Sequence, residues 1–362
     1  MPDSLTLGVV GFGWFAELLH DRVLTGLDRL DTVAVCDPDP ARRTRAAELL
    51  GAQAFASMEE MLAGSDCQAV AIFTPHSTHR ELVEQAAAAG RHIFCEKAMA
   101  VTATDCVAMI AAAREARVEL MVGHMQKLFP AYRRVAEIVA SGRYGAPVAA
   151  HVNGLHWCPV YEGWWRRKAD CGGLLYWTGV HDVDTLRHVI GGDVESVFAV
   201  TGPDTDDDTD YEDSIAATLR FESGAVATLH VAQHDPLRSF EESFSMQVLC
   251  KQGAVAFDPG TNRVVHAARA GHERFGPAVE SFVDHEESMF VAYREEFAHF
   301  ASVVLDGVAS RLPAEDGLRC VEILEAVYAS AASHEPAPVH RADVTAGPPP
   351  RALGAPAADR GS

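Results

Sequence analysis

Glu96 and Lys97 end a seven-residue stretch, His92-Ile-Phe-Cys-Glu-Lys-Ala98, that reads as a buried strand presenting a carboxylate and an ammonium side by side. It follows a long Ala-rich helical run that stops at Gly90, the order of a βαβ unit, whose strands aim their C-terminal ends at the ligand crevice. The chemistry is placed on this pair; a solvated strand-end lysine is the alternative. Upstream, Gly11-Phe-Gly-Trp-Phe-Ala16 gives G-x-G-x-x-A directly after the β-type run Leu5–Val10. Its first glycine allows a tight turn, its second lets backbone approach a pyrophosphate, and a helix N-terminus supplies N–H groups for the anion. A second strand, Thr32–Cys36, ends at Asp37, where a carboxylate can accept the ribose hydroxyls of NAD and repel the 2′-phosphate of NADP. Arg42 and Arg43 oppose that preference a little.

These residues need a scaffold, and the sequence around them supplies one. Helical patterning over Pro40–Leu50, from Met58, from Thr74-Pro-His-Ser-Thr-His79 to Gly90, and from Thr102 to Arg117 alternates with short strands at Gln53–Phe55, Ala69–Phe73, the His92–Ala98 stretch and Glu119–Gly123. That is a doubly wound parallel sheet of Rossmann type. After an amphipathic helix from Pro130 to Ser141 the pattern changes. His151–Asn153, Val194–Thr201, Ser214–Phe221, Ala225–Val231 and Phe244–Cys250 read as strands joined without helices, interrupted by one helix from Gly172 to Ile190. The expected architecture is a dinucleotide-binding Rossmann domain over 1–124 and an α+β domain with a mostly antiparallel open sheet over 125–340. The latter would bind substrate and mediate oligomerisation. Two terminal helices, from Ser288 and from Ala314, precede a tail over 341–362 expected to be disordered.

Composition narrows the function. A net charge of −21 over 362 residues repels a phosphate backbone and argues against nucleic acid. No apolar run reaches transmembrane length and no signal peptide is read, so a soluble cytoplasmic protein without membrane contact is expected. Eight cysteines fall without a C-x-x-C pair and read as reduced thiols, and no histidine spacing points to a metal. Seven acidic residues among positions 204–213 read as a solvated loop, which could raise the local concentration of a cationic substrate.

Four stretches together resemble the Gfo/Idh/MocA oxidoreductases, the family of glucose-fructose oxidoreductase and inositol dehydrogenase. They are Gly11–Ala16 with Asp37; Thr74-Pro-His-Ser-Thr-His79, similar to T-P-N-x-x-H; Glu96-Lys97-Ala98, similar to E-K-P; and Gly172–Asp184, similar to G-G-x-x-x-D-x-G-x-H-x-x-D. The resemblance implies NAD, with NADP the lesser option, and a sugar, aminosugar or cyclitol as substrate. It also implies contacts to the cofactor from Gly11, Phe12, Gly13, Trp14, Phe15, Asp37, Thr74, Pro75, His76, His79, Glu96, Lys97 and Met125. Lys97 would polarise the reacting oxygen and His181 would move its proton, a task suited to imidazole with its ordinary pKa of about 6.5.

Two departures stand out. Trp177 replaces the family's aspartate four residues before the histidine, and Met125 stands where many members place a polar residue. On helical spacing Trp177, His181 and Asp184 share a face, so Asp184 would orient His181; a core histidine is the alternative. Trp165 and Arg166 would border the substrate. The reading is an NAD-dependent dehydrogenase or reductase acting on a CH–OH group, assembled as a homo-oligomer, dimer or tetramer. Its rivals are a redox-neutral glycosidase or epimerase cycle and a catalytically silent NAD- or sugar-binding protein.

Overall fold

The structure, a computed structural model, describes residues 4–155, 163–203, 209–233, 244–259, 261–269, 277–282 and 285–344. Six parallel strands make the first sheet: β1 (Leu5–Val10), β2 (Leu30–Cys36), β3 (Gln53–Phe55), β4 (Ala69–Ile72), β5 (His92–Cys95) and β6 (Leu120–Val122), in the order β3-β2-β1-β4-β5-β6. Every residue of β4 and β6 is buried, as apolar strands covered on both faces must be. The covering helices are α1 (Trp14–Arg22), α2 (Pro40–Leu50), α3 (Met58–Gly64), α4 (His79–Ala88) and α5 (Ala103–Ala116). Strand order reverses between β1 and β4, which opens the crevice at their C-terminal ends. The Thr102 hydroxyl accepts the Asp105 amide at 3.1 Å and starts α5, as the local sequence dictates.

The chain then adds α6 (Pro130–Ala140), β7 (Pro147–Leu155), α7 (Lys168–Cys171), α8 (Val180–Ile190), β8 (Val194–Thr201), β9 (Ser214–Phe221), β10 (Val226–Ala232), β11 (Phe244–Cys250), β12 (Gly253–Asp258), β13 (Arg263–Ala268) and β14 (Ala278–Ser281). Helices α9 (His285–Asp306) and α10 (Ala314–Ser333) and the two-residue β15 (Ala337–Pro338) complete it. The second sheet runs β14-β13-β12-β11-β7-β10-β9-β8-β15 and is antiparallel except where β7 meets β10. Strands β12 to β14 extend it beyond what the sequence patterning announces. In β9, Ile215, Ala217, Leu219 and Phe221 are buried while their neighbours are exposed, so helices cover one face only. The open face carries Phe198, Val200, Val226 and Leu249.

The terminal helices return to the first sheet. Phe297 of α9 meets Phe94 of β5 with ring centroids 4.5 Å apart, and the Val122 amide donates to the Leu312 carbonyl at 3.2 Å. Among the described residues no helix is long and apolar enough to cross a membrane.

Two expectations need correction. The acidic run is not a solvated loop at its end: Glu212 and Asp213 are buried, Glu212 between Lys168 (3.0 Å) and the Tyr328 hydroxyl, Asp213 accepting from the Gln233 side chain at 2.6 Å. Residues 204–208 of that run lie outside the described residues. Nor does disorder begin at 341, because Arg341 pairs with Asp193 at 3.4 Å and the Ala342 amide donates to Glu322 at 2.7 Å. From 345 onward the tail lies outside the described residues.

Candidate active site

The fingerprint turn is built around Gly11, whose φ of +84° and whose neighbours exclude a side chain: a Cβ would come 2.8 Å from the Phe73 carbonyl oxygen. The Asp37 carboxylate accepts the Phe12 amide at 2.8 Å and the Asp39 amide at 2.8 Å, which pins it at the end of β2. Arg43 donates to the Asp37 and Pro38 carbonyls, both at 2.8 Å, while Arg42 lines the adjoining cavity. That cavity, about 530 Å³, is lined by Gly11, Gly13, Trp14, Phe15, Asp37, Thr74 and Pro75 among the residues the sequence nominated for the cofactor. Trp164 and Trp165, which follow β7, add to its lining. Phe12, His76, His79, Glu96, Lys97 and Met125 are not in the lining. The glycine turn, a carboxylate at the strand end and a helix N-terminus without a side-chain cap fit a dinucleotide.

Behind that lining, two histidines act as struts. His79 is buried with Nδ1 3.0 Å from the Ala98 carbonyl and Nε2 2.9 Å from the Thr74 carbonyl, so it ties the turn after β4 to the turn after β5. Burial lowers its pKa, and the neutral ring donates to one carbonyl at a time. His76 donates from Nδ1 to the Cys171 carbonyl at 2.6 Å, and burial followed by the nearness of His79 holds it well below the ordinary imidazole range. These contacts frame Glu96 and Lys97, whose following peptide, Lys97–Ala98, is cis.

Lys97 Nζ donates to the Trp177 carbonyl at 2.6 Å. This bond crosses from the edge of the first sheet to residues 175–179, a π-helical turn that runs directly into α8. The Gly172–Gly173 pair sets that turn. Both glycines have positive φ, and a Cβ on Gly173 would lie 2.5 Å from the Tyr328 hydroxyl, which itself accepts the Leu175 amide at 3.2 Å. A wider π turn replaces the regular α spacing at Trp177. His181 and Asp184 follow on α8, both buried.

Asp184, expected beside His181, gives its Oδ1 to Lys127 at 3.2 Å; the same ammonium donates to Asp316 at 2.9 Å. An aromatic row runs from His76 to Trp164 (5.4 Å between centroids), Trp165 (5.3 Å) and Trp177 (5.4 Å). Arg166 follows it and is half-buried, its carbonyl accepting the Asp210 amide at 3.0 Å.

Sequence reasoning passed over several members of this region. His124, Asp184 and Cys320 bring their donor atoms within 4.8 Å of one another, although no spacing in the chain pairs them. The Lys127 ammonium already supplies a cation at that point, and burial pushes the His124 ring down to about 4, which keeps it neutral. Asp182 is buried with its Oδ1 3.5 Å from the Gln126 amide nitrogen, and burial pushes it up to about 7. The Lys-Leu-Phe run at 127–129 and the amphipathic helix after it were the available signal for Lys127, but its partners lie 57 and 189 residues away.

The doubly wound sheet, the glycine turn with Asp37 and the open second sheet define a nicotinamide-type dinucleotide-binding oxidoreductase fold. Matching sequence profiles agree: the oxidoreductase family with an NAD-binding Rossmann fold, Gfo/Idh/MocA, over residues 5–124, and its C-terminal domain over 132–256. The chain belongs to this family. It is 35% identical to the 1,5-anhydro-D-fructose reductase of Ensifer adhaerens over 49% of its own length and 54% of that protein's. With the 2,7-anhydro-N-acetylneuraminate hydratase of Escherichia coli (strain K12) identity is 31% over 62% of this chain. The chain thus spans 54% and 61% of the lengths of these two relatives. Among solved structures, GenD2 from gentamicin A biosynthesis in complex with NAD superposes with a TM-score of 0.82 at 26% identity, covering 94% of this chain and 98% of that one.

Proposed function

We propose that the protein moves a hydride between NAD and a ring carbon of a sugar or cyclitol, converting a secondary alcohol and a ketone into one another. One observation carries this reading above the others: the Lys97–Trp177 hydrogen bond holds the lysine of the first sheet against the helix that bears His181. NAD, which the Gly11 turn and Asp37 would hold, would supply the acceptor for the hydride of the carbinol carbon. In that direction the alcohol O–H bond breaks, its proton passes to His181 and the oxygen, becoming a carbonyl, rests on Lys97. A preorganised ammonium favours the negative charge that develops on that oxygen. Glu96 anchors the strand end by accepting the Lys97 amide at 3.1 Å.

Trp165 and Trp177 offer flat apolar faces to ring C–H groups, with Arg166 at the rim, and Trp177 supplies binding and positioning where the family has a carboxylate. Two of the acids behind the expectation of a cationic substrate, Glu212 and Asp213, are consumed in internal contacts, which removes them as an attraction for an amine. The carboxylate of Asp37 favours NAD over NADP. Seven described cysteines are buried and unpaired, in keeping with a reducing, cytoplasmic setting. The open sheet face with Phe198, Val200, Val226 and Leu249 is the surface on which copies of the chain would pair as a dimer or tetramer.

Incubation with NAD and a panel of neutral sugars, anhydrosugars and cyclitols, followed by nicotinamide absorbance, tests the reaction; no absorbance change with any of them, forward or reverse, contradicts it. A redox-neutral cycle is the second reading, favoured by the relative named a hydratase. It predicts that sugar is consumed while no NADH accumulates.

A further inference from the structure

Helix α9 carries a group for which the proposed hydride transfer has no use. Glu296 is fully buried, and among the described residues neither of its carboxyl oxygens has a hydrogen-bond partner. Its register is fixed from both sides. The next residue, Phe297, sits 4.5 Å ring to ring from Phe94, two positions before Glu96, and Tyr293, one turn earlier, packs edge-on against Phe15 at 5.7 Å. Glu296 is thereby held in the layer behind Glu96, and the two carboxyls feel each other's charge. Glu96 is also buried: its Oε2 accepts the Lys97 amide, and its Oε1 is shut in beneath Gly123, where a Cβ would come within 3.0 Å.

The charges around Glu296 do not balance two anions. The groups facing it are Glu96 and Lys97 from the end of β5, Lys127 from the turn after β6, Asp184 from α8, and Tyr293 on its own helix. Lys127 is already bonded to Asp184 and Asp316, which leaves Lys97 to balance Glu96. A second carboxylate there would be buried with no donor and no counter-ion, and a group so placed takes up a proton instead.

We propose that Glu296 is a positioning residue that keeps a proton: as a neutral acid behind Glu96, it leaves one carboxylate facing Lys97 and so keeps the field of the ammonium available to the substrate oxygen. The functional half of this inference rests on the role proposed above for Lys97; the protonation does not. Burial, then the charge of Glu96, raises the Glu296 pKa well above its ordinary 4.5. Burial pushes Glu96 up as well, to about 7, but it has the Lys97 ammonium and amide beside it, so of the pair Glu96 is the first to ionise.

The sign of the linkage gives a test that needs no substrate. The folded chain keeps a proton that the unfolded chain releases above its ordinary value. Wild-type stability therefore falls as pH rises from there toward the folded pKa, by tenfold in the folding equilibrium per pH unit for one proton. Glu296→Gln keeps the shape and lacks that slope. Its denaturation midpoint relative to wild type should therefore climb steadily as pH rises above about 5. Wild type itself should show the infrared C=O stretch of a protonated carboxyl at neutral pH, part of which is lost in Glu296→Gln. With an active substrate in hand, the alkaline fall of kcat should move in the variant.

A constant stability difference at every pH, or no loss of the protonated-carboxyl band, overturns the protonation. An alkaline limb identical in both proteins overturns the positioning role. Absence of turnover in wild type sinks the proposed function instead, and leaves the linkage and infrared readings to decide the proton.

Discussion

Two lysines 30 positions apart in the sequence, Lys127 buried and Lys97 half-buried, meet the same seam between the first sheet and α8, and they are treated in opposite ways. Lys127 donates to Asp184 and to Asp316. Burial alone would lower its pKa, yet Asp184 and then Asp316 raise it on balance, so the ammonium is neutralised where it stands. Lys97 donates instead to the main-chain carbonyl of Trp177. A carbonyl dipole orients the ammonium, and the carboxylate beside it is Glu96, where Lys127 is bonded to two. The contrast separates a lysine that joins the two halves of the chain from one that can act on charge developing in a substrate.

Breaking the paired lysine should produce the largest effect. Lys127→Met leaves Asp184 buried without its cation and should cost about 3–5 kcal/mol of unfolding free energy in denaturant titrations. A loss below about 1 kcal/mol, the range of exposed pairs, would dissolve the contrast. Next comes the cofactor edge. Asp37→Ser removes charged acceptors for ribose hydroxyls, worth about 1.5–3 kcal/mol each, so NAD affinity should fall about 10- to 100-fold while discrimination against NADP shrinks. Unchanged preference in paired titrations would assign selectivity to Arg42. The smallest change is expected at the aromatic row. Trp177→Phe keeps the carbonyl that Lys97 uses and loses part of the stacking with Trp165, about 0.5–1.5 kcal/mol, so KM should rise a few-fold with kcat largely retained. A collapse of kcat would give the indole a role in the chemical step.

What could be read from the chain divides along similar lines. Gly11, Asp37 and Thr102 act over a few residues or at the ends of adjoining elements, so their spacing in sequence already carries their geometry, and the parallel sheet followed directly. Lys127 and Glu296 have meaning only through partners far away in the chain. No periodicity announces that a lysine after β6 will meet an aspartate 189 residues later. The π turn at 175–179 replaced the regular helical spacing assumed for Trp177, His181 and Asp184. Glu212 and Asp213 look like solvent-facing charges by composition, and only their neighbours Lys168, Tyr328 and Gln233 make them interior.

The contrast between the two lysines is tested most directly by the kcat of Lys97→Met, measured beside its NAD affinity on a substrate found in the absorbance panel. A lysine that acts only on charge formed in the transition state predicts a fall in kcat of about 100-fold or more, with NAD bound as in wild type and the fold intact. Turnover within a few-fold of wild type, in a protein that binds NAD normally, would contradict it and leave Lys97 as a second strut.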